Sequence, residues 1–149
     1  MSEISAADNI LIEIEPNRWQ LFSNMETGKA LILDAVGGAP LSFEPTFAKA
    51  RRLPVDGRLP LNAVQRVVLG WSHKDESWHL GLVLEGTLAE QRGSRWCELA
   101  RWPDPDQNVF IDLATEAGQA LGELIDRSFH FYKNQERFHE HIPEHYEAF

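Results

Sequence analysis

Short runs of alternating apolar and polar residues dominate the first two thirds of the chain. The clearest is 78–85, WHLGLVLE, in which Trp78, Leu80, Leu82 and Leu84 share one face. A period of two with apolar residues on one side is typical of a half-buried antiparallel strand. Six further runs end at clusters of turn-forming residues, as strands do. The predicted strands are 10–15, 18–22, 29–34, 40–44, 63–71, 78–85 and 95–102.

Two of these strands flank the polar segment SHKDES, and the pattern predicts a hairpin with Trp71 opposite Trp78. Aromatic cross-strand pairs contribute about 0.2–1 kcal/mol, which favours closing such a turn. The tip contains Ser72 and His73, but adjacent side chains point in different directions and no G-x-S-x-G elbow surrounds the serine. We interpret the pair as part of a turn and not as a catalytic site.

The last third of the chain carries a helical pattern, predicted to run from about Val109 to Lys133. Asp106 or Asn108 is the expected N-terminal cap, after the turn at Pro105. Apolar and small residues recur there at spacings of three and four, which is typical of an amphipathic helix. They are Phe110, Leu113, Ala114, Ala117, Leu121, Leu124, Ile125, Ser128 and Tyr132. The segment 46–53 fits either a short strand or a helical turn.

Ala114, Gly118 and Gly122 form a second line along this helix. A glycine inside a helix costs about 1 kcal/mol relative to alanine, so two on one line indicate close approach of another element. A strand of the sheet, a partner helix, or simple tolerance of glycine would each explain the line. We favour packing within the chain over dimerisation.

The 149 residues are enough for a single domain, with a core at about 9–133 and an acidic, histidine-containing tail at 134–149. The first nine residues lack a signal-peptide pattern, and no apolar run reaches the length of a membrane span. One cysteine, Cys97, excludes an internal disulfide and is interpreted as a small buried residue. We expect a cytoplasmic protein.

The formal net charge of −9 argues against binding to nucleic acid or to an anionic membrane. Basic residues outnumber acidic ones only in the middle third of the chain. A local basic patch is therefore predicted from Lys49, Arg51, Arg52 and Arg58.

Two further groups of residues are candidate sites. Trp71, Trp78, Trp96 and Trp102 lie on three successive predicted strands, where they form a core or line a binding surface, with the core favoured. The tail contains His139, His141 and His145, whose side chains are ligand types for zinc or nickel. Their H-x-H-x3-H spacing matches no zinc motif, so the metal site is a weak candidate and no cofactor is predicted.

About seven antiparallel strands followed by one long C-terminal helix predict an α+β fold, a barrel or sandwich capped by that helix. In element order this chain resembles the pleckstrin-homology-like superfold over about residues 9–133. A lipocalin-like barrel, with NRW at 17–19, is the second choice. The first resemblance implies a binding or adaptor module, but the short loop EPNR argues against the phosphoinositide-binding mode.

Without a catalytic constellation, the leading hypothesis is a non-enzymatic protein–protein interaction or scaffold module, acting on a partner protein or on a second copy. The alternative is a small-ligand carrier with a tryptophan-lined pocket.

Overall fold

The computed structural model describes residues 2–132, which form two open β-sheets with helices packed against them. Its strands are β1 (Ser2–Ala6), β2 (Ile10–Glu15), β3 (Arg18–Met25), β4 (Gly28–Val36), β5 (Leu41–Phe43), β6 (Arg58–Leu59), β7 (Val64–Ser72), β8 (Ser77–Leu84), β9 (Trp96–Pro103) and β10 (Phe129–Tyr132). Its α-helices are α1 (Pro45–Ala50), α2 (Gly86–Arg92) and α3 (Ile111–Ile125), with a single 3-10 turn at Leu61–Ala63.

The first sheet is an antiparallel meander in the order β1-β2-β3-β4-β5-β6. Ile12, Leu21 and Leu33 are paired across its three central strands and are fully buried. Their shared face is therefore the inner face of this sheet. A bulge between Leu21 and Phe22 shifts the register with β4 and brings Phe22 opposite Leu31.

The second sheet has the order β10-β7-β8-β9, in which β10 runs parallel to β7 and the other pairs are antiparallel. Trp71 pairs with Trp78 in the β7–β8 hairpin, which confirms the hairpin prediction. The backbone N–H of Ala7 donates to the carbonyl of Arg101 at 2.9 Å, and this bond joins the edges of the two sheets beside β1 and β9.

Helix α3 packs against strands of both sheets, and its small residues explain how closely it approaches. A Cβ added to Gly118 would lie 2.2 Å from Cε1 of Phe129, and one added to Gly122 would lie 2.9 Å from the carbonyl oxygen of Arg127. The glycine line therefore makes room for β10 and the turn before it. The buried face of the helix comprises Ala114, Ala117, Gly118, Leu121, Gly122 and Ile125.

The structure confirms a largely antiparallel α+β fold and corrects three details of the prediction. Neither sheet closes into a barrel. The helix ends at Ile125, because Asp126 takes a left-handed conformation at φ 55° and the chain then enters β10. Neither Asp106 nor Asn108 caps the helix; the carboxylate of Asp104 instead accepts the backbone N–H of Phe110 at 2.9 Å.

All seven predicted strands are present, and the structure adds β1, β6 and β10. The ambiguous segment 46–53 contains α1, while the predicted loop after β8 contains α2. Both short helices begin at a glutamate whose side chain accepts two backbone N–H groups of the first turn. Glu44 accepts from Thr46 and Phe47, and Glu85 accepts from Thr87 and Leu88.

Candidate functional site

The tryptophans pack in the core and form hydrogen bonds between its elements. Trp19, Trp71, Trp78 and Trp102 belong to the main core, whereas Trp96 belongs to a smaller cluster with Val68, Val83 and Tyr132. Four indole N–H groups donate to groups on other elements. Trp19 donates to the Ala117 carbonyl at 3.0 Å, Trp71 to the Asp104 carbonyl at 3.1 Å, Trp78 to Asp104 Oδ2 at 3.2 Å and Trp102 to the Ser5 carbonyl at 2.8 Å.

Asp104 is the polar centre of this core, with 1% of its surface exposed. Its Oδ2 accepts from the Trp78 indole and the Phe110 amide, and its own amide donates to the Glu76 carbonyl at 2.8 Å. Oδ1 accepts no hydrogen bond within residues 2–132. Asp104 thus connects the β7–β8 turn to the start of α3, a structural role.

The four residues of the predicted basic patch differ in exposure and in their contacts. Lys49 and Arg58 are exposed on α1 and β6. Arg51 instead lies over the ring of Phe47, 3.4 Å from its centroid, and donates to the Glu98 carbonyl at 2.8 Å. Arg52 donates to the Arg92 carbonyl at 2.9 Å. Arg51 and Arg52 therefore fasten the end of α1 to α2 and β9.

Arg92, which the sequence analysis missed, completes this junction. Its guanidinium is buried and donates to the carbonyls of Arg51, Ser94 and Trp96 at 2.7–3.2 Å. Burial lowers the pKa of Arg92, and the charges of Arg51 and Arg52 lower that pKa further. The nearby thiol of Cys97 is fully enclosed, and burial raises the pKa of Cys97 to about 11 although Arg92 and Arg51 oppose the rise. A reactive thiolate requires a lowered pKa, whereas the pKa of Cys97 is raised.

In the second sheet, a buried histidine lies between two carboxylates. His79, on β8, is 4% exposed. Its Nδ1 lies against Oε1 of Glu98, and its Nε2 lies 2.8 Å and 3.1 Å from the carboxylate oxygens of Asp75. We call these three residues the His79 array. The sequence drew attention to His73 at the same turn and not to His79, for which the spacing from Asp75 across the turn was the available signal.

The Ser72–His73 pair lies where the sequence predicted, at the hairpin tip. Ser72 Oγ accepts the backbone N–H of Lys74 at 3.3 Å, and the His73 ring meets the Trp71 ring edge-on at 4.8 Å between centroids. These contacts are those of a turn, as interpreted from the sequence.

An apolar row crosses the outer face of the first sheet. Leu11 pairs with Phe22, and Phe22 pairs with Leu31, so the three side chains stand side by side on β2, β3 and β4. Leu31 is 41% exposed, whereas Phe22 is half-buried and Leu11 is 8% exposed. Lys29 lies 4.7 Å from the Phe22 ring centroid and forms an ion pair with Glu13. We call Leu11, Phe22 and Leu31 the apolar row.

Two open clefts flank the C-terminal half of α3. One, of about 370 Å³, lies between α3 and the β2–β3 hairpin, with Ile14 and Leu124 among its lining residues; it borders Trp19, which is fully buried. The other, of about 420 Å³, lies where α3 leads into β10 and includes Arg127 and Phe129. Glu123 lines both clefts.

The predicted metal ligands His139, His141 and His145 lie outside the described residues. Within residues 2–132, no group of three or more histidine, cysteine or acidic side chains is arranged to hold a metal ion. In the His79 array the two carboxylates occupy opposite nitrogens of one ring and do not converge on a common point. No helix among the described elements is long and apolar enough to cross a membrane.

Comparisons with protein-family models, with curated proteins and with solved structures found no match to this chain.

Proposed function

We propose that this protein is a non-enzymatic binding module and that the outer face of the first sheet, centred on the apolar row, is its contact surface for a partner protein or a second copy. The observation that carries the proposal is the registered alignment of Leu11, Phe22 and Leu31 across three strands with Leu31 open to solvent. Isolated exposed apolar residues need no explanation, whereas a contiguous row framed by charges is a feature of interaction surfaces.

The surroundings of the row suit a protein partner better than a small ligand. Charged side chains border the row on the outer face: Lys29 reaches across the Phe22 ring to Glu13, and Arg18 forms an ion pair with Asp34 at 2.9 Å. A surface with an aromatic centre and mixed charges at its edge resembles the core and rim of a protein interface. Three side chains form only a small apolar centre, so we expect weak or transient association.

The pleckstrin-homology-like relationship is part of the same proposal. Support comes from the order of elements, in which an antiparallel meander precedes a three-stranded antiparallel segment and a helix that packs on both sheets. Two features, the open sheets and the strand β10 after the helix, differ from the predicted barrel that ends in a capping helix.

The proposal is tested by charge substitution in the row. Leu31→Lys should abolish either self-association, measured by sedimentation velocity and native mass spectrometry, or the recovery of a specific protein crosslinked to the chain in cells of its own host. Val109→Lys is the matched control, because Val109 is 63% exposed and lies outside the first sheet. Wild-type protein that stays monomeric and yields the same crosslinked proteins as Leu31→Lys contradicts the proposal.

A second candidate, the small-ligand carrier, is favoured by the 370 Å³ cleft beside Trp19. An apolar ligand bound there should change the fluorescence of the wild-type protein and not that of Trp19→Phe. A panel of apolar and anionic probes that leaves both emission spectra unchanged contradicts this alternative.

A further inference from the structure

Described groups around His79 lie on β7, on β9 and in the β7–β8 turn. Its strand, β8, pairs with β7 at Gly70, which has no side chain, and with β9 at Arg101. Arg101 faces Asp8 at 3.6 Å. Of the described residues, the titratable groups in contact with the imidazole are Asp75 from the β7–β8 turn and Glu98 from β9.

The hydrogen-bond geometry depends on the protonation state of the ring. Ionised carboxylates only accept hydrogen bonds, so each nitrogen that faces one must donate. A neutral imidazole has one N–H and one lone pair, and it satisfies either Asp75 or Glu98 but not both. Only the imidazolium donates to both carboxylates at once.

We propose that His79 is a protonation-dependent clasp that fastens the β7–β8 turn to β9 when its ring is charged and releases one of the two carboxylates when its ring is neutral. Glu98 lies within β9, next to a shift of register with β8, whereas Asp75 lies in the turn and has the more exposed side chain of the two. Asp75 is therefore the partner that is released.

A second bond links the turn to the segment that leads into α3. The carbonyl of Glu76 accepts the amide of Asp104, and the Asp104 side chain accepts the amide of Phe110 at the start of α3. These hydrogen bonds, together with the backbone between Asp75 and Glu76, link His79 to the start of the long helix.

The electrostatics agree with this geometry. Burial lowers the pKa of His79, but the hydrogen bonds and charges of Glu98 and then Asp75 raise it by more, so the pKa lies above the ordinary value of 6.5. The clasp is therefore closed at mildly acidic pH and opens as the pH rises through that raised pKa.

The proposal is tested by titrating the histidine side chains of the full chain, labelled with ¹⁵N, by NMR from pH 5 to 9. His79→Gln identifies the His79 signals by their loss. We expect both ring nitrogens to be protonated at low pH and the midpoint to lie above 6.5. Asp75→Asn and Glu98→Gln should each lower the midpoint. Glu90→Gln, which removes an exposed charge on α2, should leave the midpoint unchanged.

Hydrogen exchange supplies the structural readout. After correction for intrinsic exchange rates, the amides of residues 74–76 should lose protection above the His79 midpoint, while those of β3 and β4 should not. A midpoint at or below 6.5 would overturn the assignment of the charged ring. A raised midpoint with unchanged protection of the turn would overturn the clasp, because the turn would then be held independently of the proton.

Discussion

At the scale of single residues, the sequence predicts which apolar side chains are buried better than it predicts which groups the polar side chains contact. Alternation placed Trp78 and Leu80 on one buried face, but the half-buried strand that it predicted is wrong, because every residue of β8 is buried and the strand is covered on both faces. Asp104 follows a predicted strand and carries no local signal of burial, yet the indoles of Trp71 and Trp78 both donate to it. Its role depends on the packing of distant elements, which no local pattern contains.

Asp104 yields a sharp prediction for stability. Asp104→Ala leaves the Trp78 indole and the Phe110 amide without their buried acceptor, and each unsatisfied donor costs about 1–3 kcal/mol. We expect the free energy of unfolding to fall by about 3 kcal/mol, measured by urea denaturation.

Asp104→Asn keeps an acceptor oxygen and should cost less. Asp106→Asn, at an exposed position, is the control and should change stability by less than about 0.5 kcal/mol. Equal effects of the two Asp104 variants would show that charge, not the acceptor, is what matters there.

At the scale of elements, the strands were predictable and the short helices were not. The seven predicted strands show a period of two or end at turn-forming residues. In contrast, β10 was assigned to the predicted helix, because Ser128 and Tyr132 continue the helical spacing. The sequence does contain a shared signal for the two short helices. Glu44-Pro-Thr-Phe-Ala and Glu85-Gly-Thr-Leu-Ala share one pattern, and each glutamate caps the helix that follows it. The repeated pattern, more than either helix alone, would have identified α2.

From the contact between α3 and β10 we predict that the effect of Gly118→Ala on the free energy of unfolding changes sign when the Phe129 ring is removed. Gly118→Ala should gain about 1 kcal/mol from helix propensity but places a Cβ 2.2 Å from the Phe129 ring. Overpacking of this kind costs about 1–3 kcal/mol, so we expect net destabilisation. In a Phe129→Ala background the same substitution should stabilise.

Urea denaturation of the four proteins measures this coupling. Gly86→Ala serves as the control, because an added Cβ there has no neighbour within 4 Å. A destabilisation by Gly118→Ala that is equal in both backgrounds would mean that Phe129 does not set the requirement for glycine.

At the scale of the whole molecule, two kinds of titrating contact act on stability from opposite sides of neutral pH. Backbone N–H groups of the first helical turns lower the pKa of Glu44 and Glu85 below the ordinary value of 4.5. Their contribution to stability is therefore present above pH 4.5 and is lost as the pH falls through their lowered values. The pKa of His79 is raised, so its contribution is complete below pH 6.5 and is lost as the pH rises through its raised value.

The free energy of unfolding should consequently be greatest between pH 4.5 and 6.5 as far as these three groups determine it. Urea denaturation across pH 3–9 measures the profile, and two variants separate its limbs. His79→Gln should flatten the decline above pH 6.5 and leave the acid limb intact, because a glutamine does not titrate. Glu44→Gln should reduce the acid limb alone. A decline above pH 6.5 that persists in His79→Gln would assign the alkaline limb to repulsion among the 23 acidic residues of this chain, whose net charge grows more negative as its histidines lose protons.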